Sequence, residues 1–444
     1  MDPHISMSII DSIKGAIARR LFSCSYLPDS LTLWSITGIY DTLGTSIQSY
    51  HQKRLRHILQ HAVDTTAYWR RVLPATGINL RTITLEQFQR IPILDRETLK
   101  HNPDEILANN LRKRSVTTIT TSGSSGVPLK IYADDVFLKK RILIHRHYLQ
   151  KVLHLNGTNN FANLRNRTHT MILGHHVNLL TDDLASEVSW LADNVQAACG
   201  PLFNLMNFAR RLNKLNIKLN LDFVVSCAEF LSPTDRKYME KTFNCLVYDQ
   251  YSNVEVGLMA FECPLRNGFH VNTANIFLEI VDKRGMPVQN GEIGRILVTA
   301  FDNRAMPLIR YDTADLGQWM EGVCPCNLKT PRLIFEGRSS NVLKLPHGRE
   351  YYLKHLMSPL DIKFGEIIEK FQFLQKSREH LILRIIPSAK YKNGDEVAIR
   401  KTLIGRMVRA RAIDDGGAFD IRIEKVETIE NFPSGKARLF VSAL

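Results

Sequence analysis

The sequence predicts an α/β protein that runs on into a β unit and closes with a small α+β unit. Three observations carry that expectation. Helical stretches alternate with short apolar strands up to about residue 260, the pattern of a layered sheet with parallel strands. After Asn275 strand-like runs follow one another across tight turns. A break at Gly337-Arg338-Ser339-Ser340-Asn341 then precedes about a hundred residues of mixed helix and strand, an ordinary size for a domain.

In chain order, Met1 to Leu21 has a helical apolar spacing through Ile9, Ile10, Ile13, Ile17 and Leu21, with Lys14, Arg19 and Arg20 among them. It lacks the apolar core and cleavage site of a signal peptide, so a helix packed on the domain is expected rather than one lying on a membrane. Residues 50–110 read as helices: Arg54, Leu55, Ile58, Leu59 and Ala62 recur at helical spacing, with Pro92 and Pro103 as punctuation. Val116 to Thr121 is β-rich, and Val136 to Leu149 is helical. Phe223-Val224-Val225 and Leu246-Val247-Tyr248 are the clearest strands of the layered region. In the β unit, Ile276 to Val281, Gly294 to Phe301 and Met306 to Tyr311 are expected as strands, and Leu381 to Ile386 as a strand of the final unit.

With 444 residues, 44% hydrophobic and 23% charged, the chain has the balance of a soluble globular protein of two or three packed units. No apolar stretch reaches the roughly 18 residues that a membrane span needs. The formal charge of +14 is spread along the chain, with no basic helix or aromatic platform, so nucleic acid is not the expected partner. Positive charge also suits polyanionic small molecules. Seven cysteines without a secretory signal favour thiols and metal ligands over disulfides, hence a cytoplasmic protein.

The chemistry is concentrated in a few segments. Thr121-Ser122-Gly123-Ser124-Ser125-Gly126 is a glycine- and hydroxyl-rich loop able to cradle phosphate oxygens, and Lys130 adds a positive charge beyond it. It is not a Walker loop, because no Lys-Ser or Lys-Thr follows Gly126 at the required spacing. Tyr251-Ser252-Asn253-Val254-Glu255 follows a strand directly, which puts an aromatic ring and a carboxylate where α/β sheets bind ligands. A nucleotide needs a flat surface for its base and a carboxylate for Mg²⁺. Asp315, after Arg310-Tyr311-Asp312-Thr313-Ala314, could accept both ribose hydroxyls, and Gly337-Arg338 and Gly435-Lys436 complete the series. Cys263, His270, Cys324 and Cys326 form a candidate Cys₃His set for structural zinc. Cys24, Cys199, Cys227 and Cys245 read as core, and His175-His176 as a candidate lining of an acyl pocket.

This order of segments resembles the adenylate-forming (ANL) superfamily, and within it the phenylacetate–CoA ligase-like proteins with their capsular-polysaccharide (CapK-type) branch. The resemblance spans nearly the whole chain, from Tyr68-Trp69-Arg70 and Ile91-Pro92-Ile93-Leu94 through the glycine loop, Ala228-Glu229, Tyr251 to Glu255, Gly291-Glu292-Ile293-Gly294, Met306 to Tyr311 and Gly337-Arg338 to Ser434-Gly435-Lys436. It implies a large adenylation domain over residues 1–337, built of layered α/β subdomains and a distorted β-barrel, and a mobile α+β lid over residues 338–444. It also implies ATP-dependent, AMP-forming activation of a carboxylic acid, followed by acyl transfer to coenzyme A, a carrier-protein thiol, or an amine or hydroxyl.

The resemblance assigns roles residue by residue. Thr121, Ser122, Gly123, Ser124, Ser125 and Gly126 would hold the ATP phosphates. The Ala228-Glu229 backbone would lie along the adenine with Tyr251 stacked on it, and Ser252 would take the glycine position that follows. Glu255 would bind Mg²⁺, Asp315 the ribose, Arg338 the ribose–phosphate region, and Lys436 both the acyl carboxylate and the α-phosphate. Related proteins carry a zinc cluster at positions like those of Cys263, His270, Cys324 and Cys326.

The sequence departs from the family pattern in three places. Ser340 and Asn341 stand where the hinge usually has an acidic residue, Ser252 replaces a glycine, and Leu343 to Glu350 lacks the Gly-Asn-Val-then-Pro loop of CoA-forming members. Transfer to a non-CoA acceptor, in surface-polysaccharide or secondary metabolism, is therefore favoured. A non-catalytic nucleotide-binding scaffold is the competing reading and a basic nucleic-acid-binding protein the weaker one; a homodimer is left open.

Overall fold

The computed structural model describes residues 47–111, 116–120, 129–155, 161–164, 175–176, 191, 194–430 and 438–444. The N-terminal amphipathic segment, Cys24, the glycine loop 121–126 and Lys436 lie outside these residues.

Helices α1 (Ile47–Thr65), α2 (Ala67–Val72) and α3 (Arg96–His101) realise the predicted helical region. The apolar stripe of α1 buries Leu55, Ile58, Leu59 and Ala62, as its spacing requires. Thr66 caps α2 and Asp95 caps α3 by accepting from Trp69 and Thr98 backbone N–H groups. Trp69 is fully buried, and its Nε1 donates to the Pro307 carbonyl at 2.9 Å, which ties this layer to the β region.

Strands β1 (Val116–Thr120) and β2 (Lys130–Asp134) form an antiparallel hairpin, with Thr120 opposite Lys130. Helix α4 (Asp135–His147), capped by Asp134, continues into one π-helical turn at Tyr148–Val152. Next come β3 (Phe161–Asn163), β4 (His175–His176), β5 (Ala197–Pro201), α5 (Leu202–Leu215), β6 (Phe223–Cys227), α6 (Pro233–Phe243) and β7 (Leu246–Asn253). Their sheet neighbours, β4-β3-β5-β6-β7, are all parallel. That is the layered arrangement predicted, with β6 buried along its whole length.

The β unit consists of β8 (Gly257–Glu262), β9 (Phe269–Val271), β10 (Ile276–Val281), β11 (Gly294–Ala300), β12 (Tyr311–Met320) and β13 (Arg332–Arg338). It is not separate from the parallel region: all join one eleven-stranded mixed sheet in the order β10-β11-β12-β13-β9-β8-β7-β6-β5-β3-β4. The predicted strand from Met306 to Tyr311 is corrected here, because the strand begins at Tyr311. Arg310 has a left-handed backbone (φ +45°) and breaks the extended run. Met306, Leu308 and Ile309 are buried as irregular chain instead. The Arg310 guanidinium explains that conformation: it donates to the carbonyls of Gln89, Ile91 and Gly285 and pairs with the buried Glu279 carboxylate.

The C-terminal unit contains a hairpin of β14 (Val342–Lys344) and β15 (Glu350–Tyr352), then α7 (Lys354–Phe364), β16 (Ile368–Gln375), β17 (His380–Pro387), α8 (Asp395–Arg409), β18 (Asp420–Lys425) and β19 (Phe440–Ser442). The last four strands form a sheet in the order β18-β17-β16-β19 over their own apolar core, which includes Phe373, Leu381, Leu383, Leu403 and Met407. This unit touches the rest of the chain at the start of α6 and the segment before it, and at β13, where Lys354 pairs with Glu336 at 3.4 Å. Asp361 accepts from the Thr234 backbone N–H at 2.8 Å and the Ser232 hydroxyl at 3.0 Å, and Phe230 packs against the C-terminal core.

Candidate active site

The hairpin between β7 and β8 presents the first carboxylate. Asn253 pairs with Gly257, so Val254, Glu255 and Val256 alone make the turn. Val256 is buried and anchors the tip in the core, while the Asn253 side chain accepts from the Val256 N–H at 2.8 Å. Glu255 is 5% exposed, and two donors reach its Oε1: Arg96 at 3.2 Å and the Tyr311 hydroxyl at 3.2 Å. Burial, then the Glu255 charge, raise the Tyr311 phenol far above its ordinary pKa, so it stays a donor.

A bulge presents the second carboxylate. Between the pairs Arg295–Leu316 and Leu297–Asp312, Thr313, Ala314 and Asp315 stand opposite Ile296 alone. Ala314 takes a left-handed backbone (φ +58°), a conformation that non-glycine residues seldom adopt and one that turns the following side chain off the ladder. Asp315 is thereby 3% exposed, with its Oδ2 accepting from the Tyr251 hydroxyl at 2.7 Å and its Oδ1 paired with Arg338 Nε at 2.9 Å. Burial raises the Asp315 pKa, and the Arg338 charge partly offsets it; Asp315 in turn raises that of Arg338. A carboxylate has about four acceptor positions, so these two contacts do not use up its capacity to accept from a ligand.

The two carboxylates share one neighbourhood. Arg338 feels the charges of Asp315 and Glu255 and the phenols of Tyr251 and Tyr311. The Tyr251 ring packs against Phe335 with centroids 5.1 Å apart, and Ser252 follows it half-buried on β7. At the C-terminal end of β6, Ala228 adopts a left-handed backbone (φ +68°) and is exposed, followed by half-buried Glu229. Strained residues of this kind cluster at ligand sites. Lys130 is exposed at the start of β2, beside the loop 121–128, which itself lies outside the described residues. Glu255, Asp315, Tyr251 and Arg338 are thus brought together, whereas the placements of Ser122 and Lys436 lie outside what is described.

Arg96 and Tyr311 were not legible as partners of Glu255, since both contacts are non-local. One signal does point to Arg96: it is the first residue of α3, where a cation opposes the helix dipole.

The metal-type cluster is assembled as its residue types require. Ligand atoms of Cys263, His270, Cys324 and Cys326 all lie within 4.8 Å of one another. The Cys263 and Cys324 sulfurs are 3.8 Å apart, and Cys326 Sγ is 3.3 Å from His270 Nε2. A tetrahedral zinc with Zn–S bonds of about 2.3 Å separates its sulfurs by about 3.8 Å, so the donor set fits that ion. His270 Nδ1 lies 3.1 Å from the Thr330 hydroxyl, which turns Nε2 toward the sulfurs. Burial, helped by Arg332, lowers the His270 pKa to about 4 and keeps the ring in the neutral form that binds metals.

Residues 350–443 match the family model of the CapK C-terminal domain. Protein CapK of Staphylococcus aureus is 19% identical over 99% of this chain and 97% of its own length. The phenylacetate-coenzyme A ligase of Thermus thermophilus is 23% identical over 74% of this chain and 78% of that protein. A crystal structure of 2-hydroxyisobutyryl-CoA ligase in the postadenylation state superposes with a TM-score of 0.75 over 94% of both chains at 16% identity, a likeness of fold. The chain therefore has the fold of the adenylate-forming enzymes. Along its length it is similar to CapK and to a phenylacetate-coenzyme A ligase, and the CapK likeness includes the C-terminal domain model.

Proposed function

We propose that this protein is an ATP-dependent, AMP-forming ligase that activates a carboxylic acid as its acyl-adenylate and transfers the acyl group to an acceptor. The observation that carries the reading is a pair of buried carboxylates each held by its own guanidinium, Asp315 by Arg338 and Glu255 by Arg96, with the Glu255 charge also reaching Arg338. Two carboxylates held apart from water beside a cation suit a ligand with hydroxyls at one end and metal-bound phosphates at the other.

In this reading Asp315 accepts the ribose hydroxyls while Tyr251 and Arg338 fix its orientation. The Ala228-Glu229 backbone and Tyr251 bound the adenine, and residues 121–126 with Lys130 receive the phosphates. Glu255, steadied by Arg96 and Tyr311, holds Mg²⁺. That ion would neutralise phosphate charge when bound. A carboxylate oxygen of the acid attacks the α-phosphorus, the bond to the bridging oxygen breaks, and pyrophosphate leaves. The acceptor then attacks the acyl carbonyl and AMP departs. Both reactants of the first step are anions, so positioning and cationic side chains do most of the catalysis.

Lys436 supplies the remaining charge, from a lid over residues 338–444 that closes on an adenylation domain over residues 1–337. The acceptor is an amine or hydroxyl, a carrier-protein thiol or coenzyme A; the absence from Leu343 to Glu350 of the loop typical of CoA-forming members favours the first two. Cys263, His270, Cys324 and Cys326 hold one structural zinc, and the six cysteines among the described residues, none of them in a disulfide, suit the reducing cytoplasm.

The test is ATP–pyrophosphate exchange against a panel of carboxylic acids, followed by an acceptor screen with the best acid. Exchange above background that depends on one class of acid is expected. A non-catalytic scaffold would show none with any acid.

A further inference from the structure

We propose that Arg141 is a positioning residue for Glu255, acting through the backbone of the turn rather than by touching the ligand; the inference rests on the reading of Glu255 as the metal carboxylate. Arg141 projects from α4, and its Nη1 donates to the Val254 carbonyl at 2.9 Å. That carbonyl belongs to the peptide bond immediately before Glu255.

The arginine stem also lies close to Gly257, at the end of the same turn. Gly257 has φ +97°, and a Cβ there would stand 3.1 Å from Arg141 Nε and 3.2 Å from its Cγ. Glycine therefore serves two needs at this position, the left-handed backbone and the close approach of the arginine stem. On its other side, the guanidinium lies over the Phe137 ring at 5.6 Å, which fixes its direction from a residue one helical turn away.

The turn is thus gripped at three points. Asn253 holds it from within through the Val256 N–H, Arg141 holds the Val254 carbonyl from outside, and Arg96 with Tyr311 hold the carboxylate itself. A loop of three residues has few conformations, so losing the outside grip rotates the Val254–Glu255 peptide and moves the carboxylate with it. A lysine can still reach the carbonyl with one hydrogen bond, but it lacks the guanidinium that lies over Phe137.

The experiment measures ATP binding by calorimetry, once in EDTA and once with saturating Mg²⁺, for the wild type, Arg141→Met, Arg141→Lys and Glu255→Gln. Partners that orient a metal ligand commonly carry about ten- to a hundredfold of metal affinity. In Arg141→Met the tightening of ATP binding by Mg²⁺ should accordingly fall by about tenfold or more, with binding in EDTA unchanged. Arg141→Lys should recover part of the tightening. Amides of residues 254–257 should exchange hydrogen faster in the nucleotide-free Arg141→Met protein. Unaltered tightening in Arg141→Met, with Glu255→Gln losing it, overturns the positioning role. Equal losses in EDTA and Mg²⁺ do the same, since they would mark a general structural role. Full tightening in Glu255→Gln would instead refute the assignment of Glu255 and with it this inference.

Discussion

Replacing Lys436 by alanine is expected to abolish carboxylate-dependent pyrophosphate exchange while leaving ATP binding measurable. The reason is electrostatic. The acid and the α-phosphate both carry negative charge, and the attack gathers more of it on the phosphoryl oxygens. Glu255 and Asp315 add two further negative charges nearby, which Arg338 and Arg96 partly balance. A cation on the entering carboxylate is therefore needed in addition to those two. Removing one well-aimed charge commonly costs on the order of 10²–10³ in rate. The ground-state complex with ATP depends mainly on the other groups, so its dissociation constant should move much less. Exchange kinetics beside calorimetry of the same variant separate the two effects. Full exchange activity in Lys436→Ala would remove this residue from the mechanism.

The second large effect concerns the cysteine–histidine cluster and falls on stability. Cys263 directly follows β8, His270 lies on β9, and Cys324 and Cys326 sit in the connection between β12 and β13. One ion would tie these three places together beside the strands that carry Asp315 and Arg338. Protein purified without added zinc should hold one equivalent per chain by metal analysis, and Cys324→Ser should lose it. Loss of a structural metal belongs to the small group of changes that destabilise by more than about 3 kcal/mol. At about 2–4 °C per kcal/mol for a domain of this scale, Tm should fall by roughly 6–12 °C. Buried cysteines acting only as small apolar side chains would instead tolerate the substitution with no change in metal content.

The sequence carried the site in proportion to how local each signal was. Tyr251 and Glu255 were singled out because they follow an apolar run that announces a strand, the cysteines because Cys-Pro-Cys can chelate, and Asp315 by its place in the order of segments, after a run, Met306 to Tyr311, that is not a strand. The parallel strands were legible for the same reason: Phe223–Cys227 is apolar enough to be buried on both faces. Contacts across long separations were not. The grip of Arg96 on Glu255 spans 159 positions and that of Arg141 on Val254 spans 113, and no periodicity records them. Met306 to Arg310 misled because its residues are as apolar as a strand, while the side chain that bends it, Arg310, answers to carbonyls at Gln89, Ile91 and Gly285. The continuity of the eleven-stranded sheet was also hidden, since strand order depends on which edges meet and not on any one strand's composition.

The most direct measurement follows oxygen atoms. An active acid labelled with ¹⁸O in both carboxylate positions is turned over with ATP and acceptor, and the products are examined by mass spectrometry. Attack of the carboxylate on the α-phosphorus leaves one labelled oxygen in AMP, and that is the result expected. Label in inorganic phosphate, with ADP as the nucleotide product, would mean attack at the γ-phosphorus and would contradict the proposed chemistry.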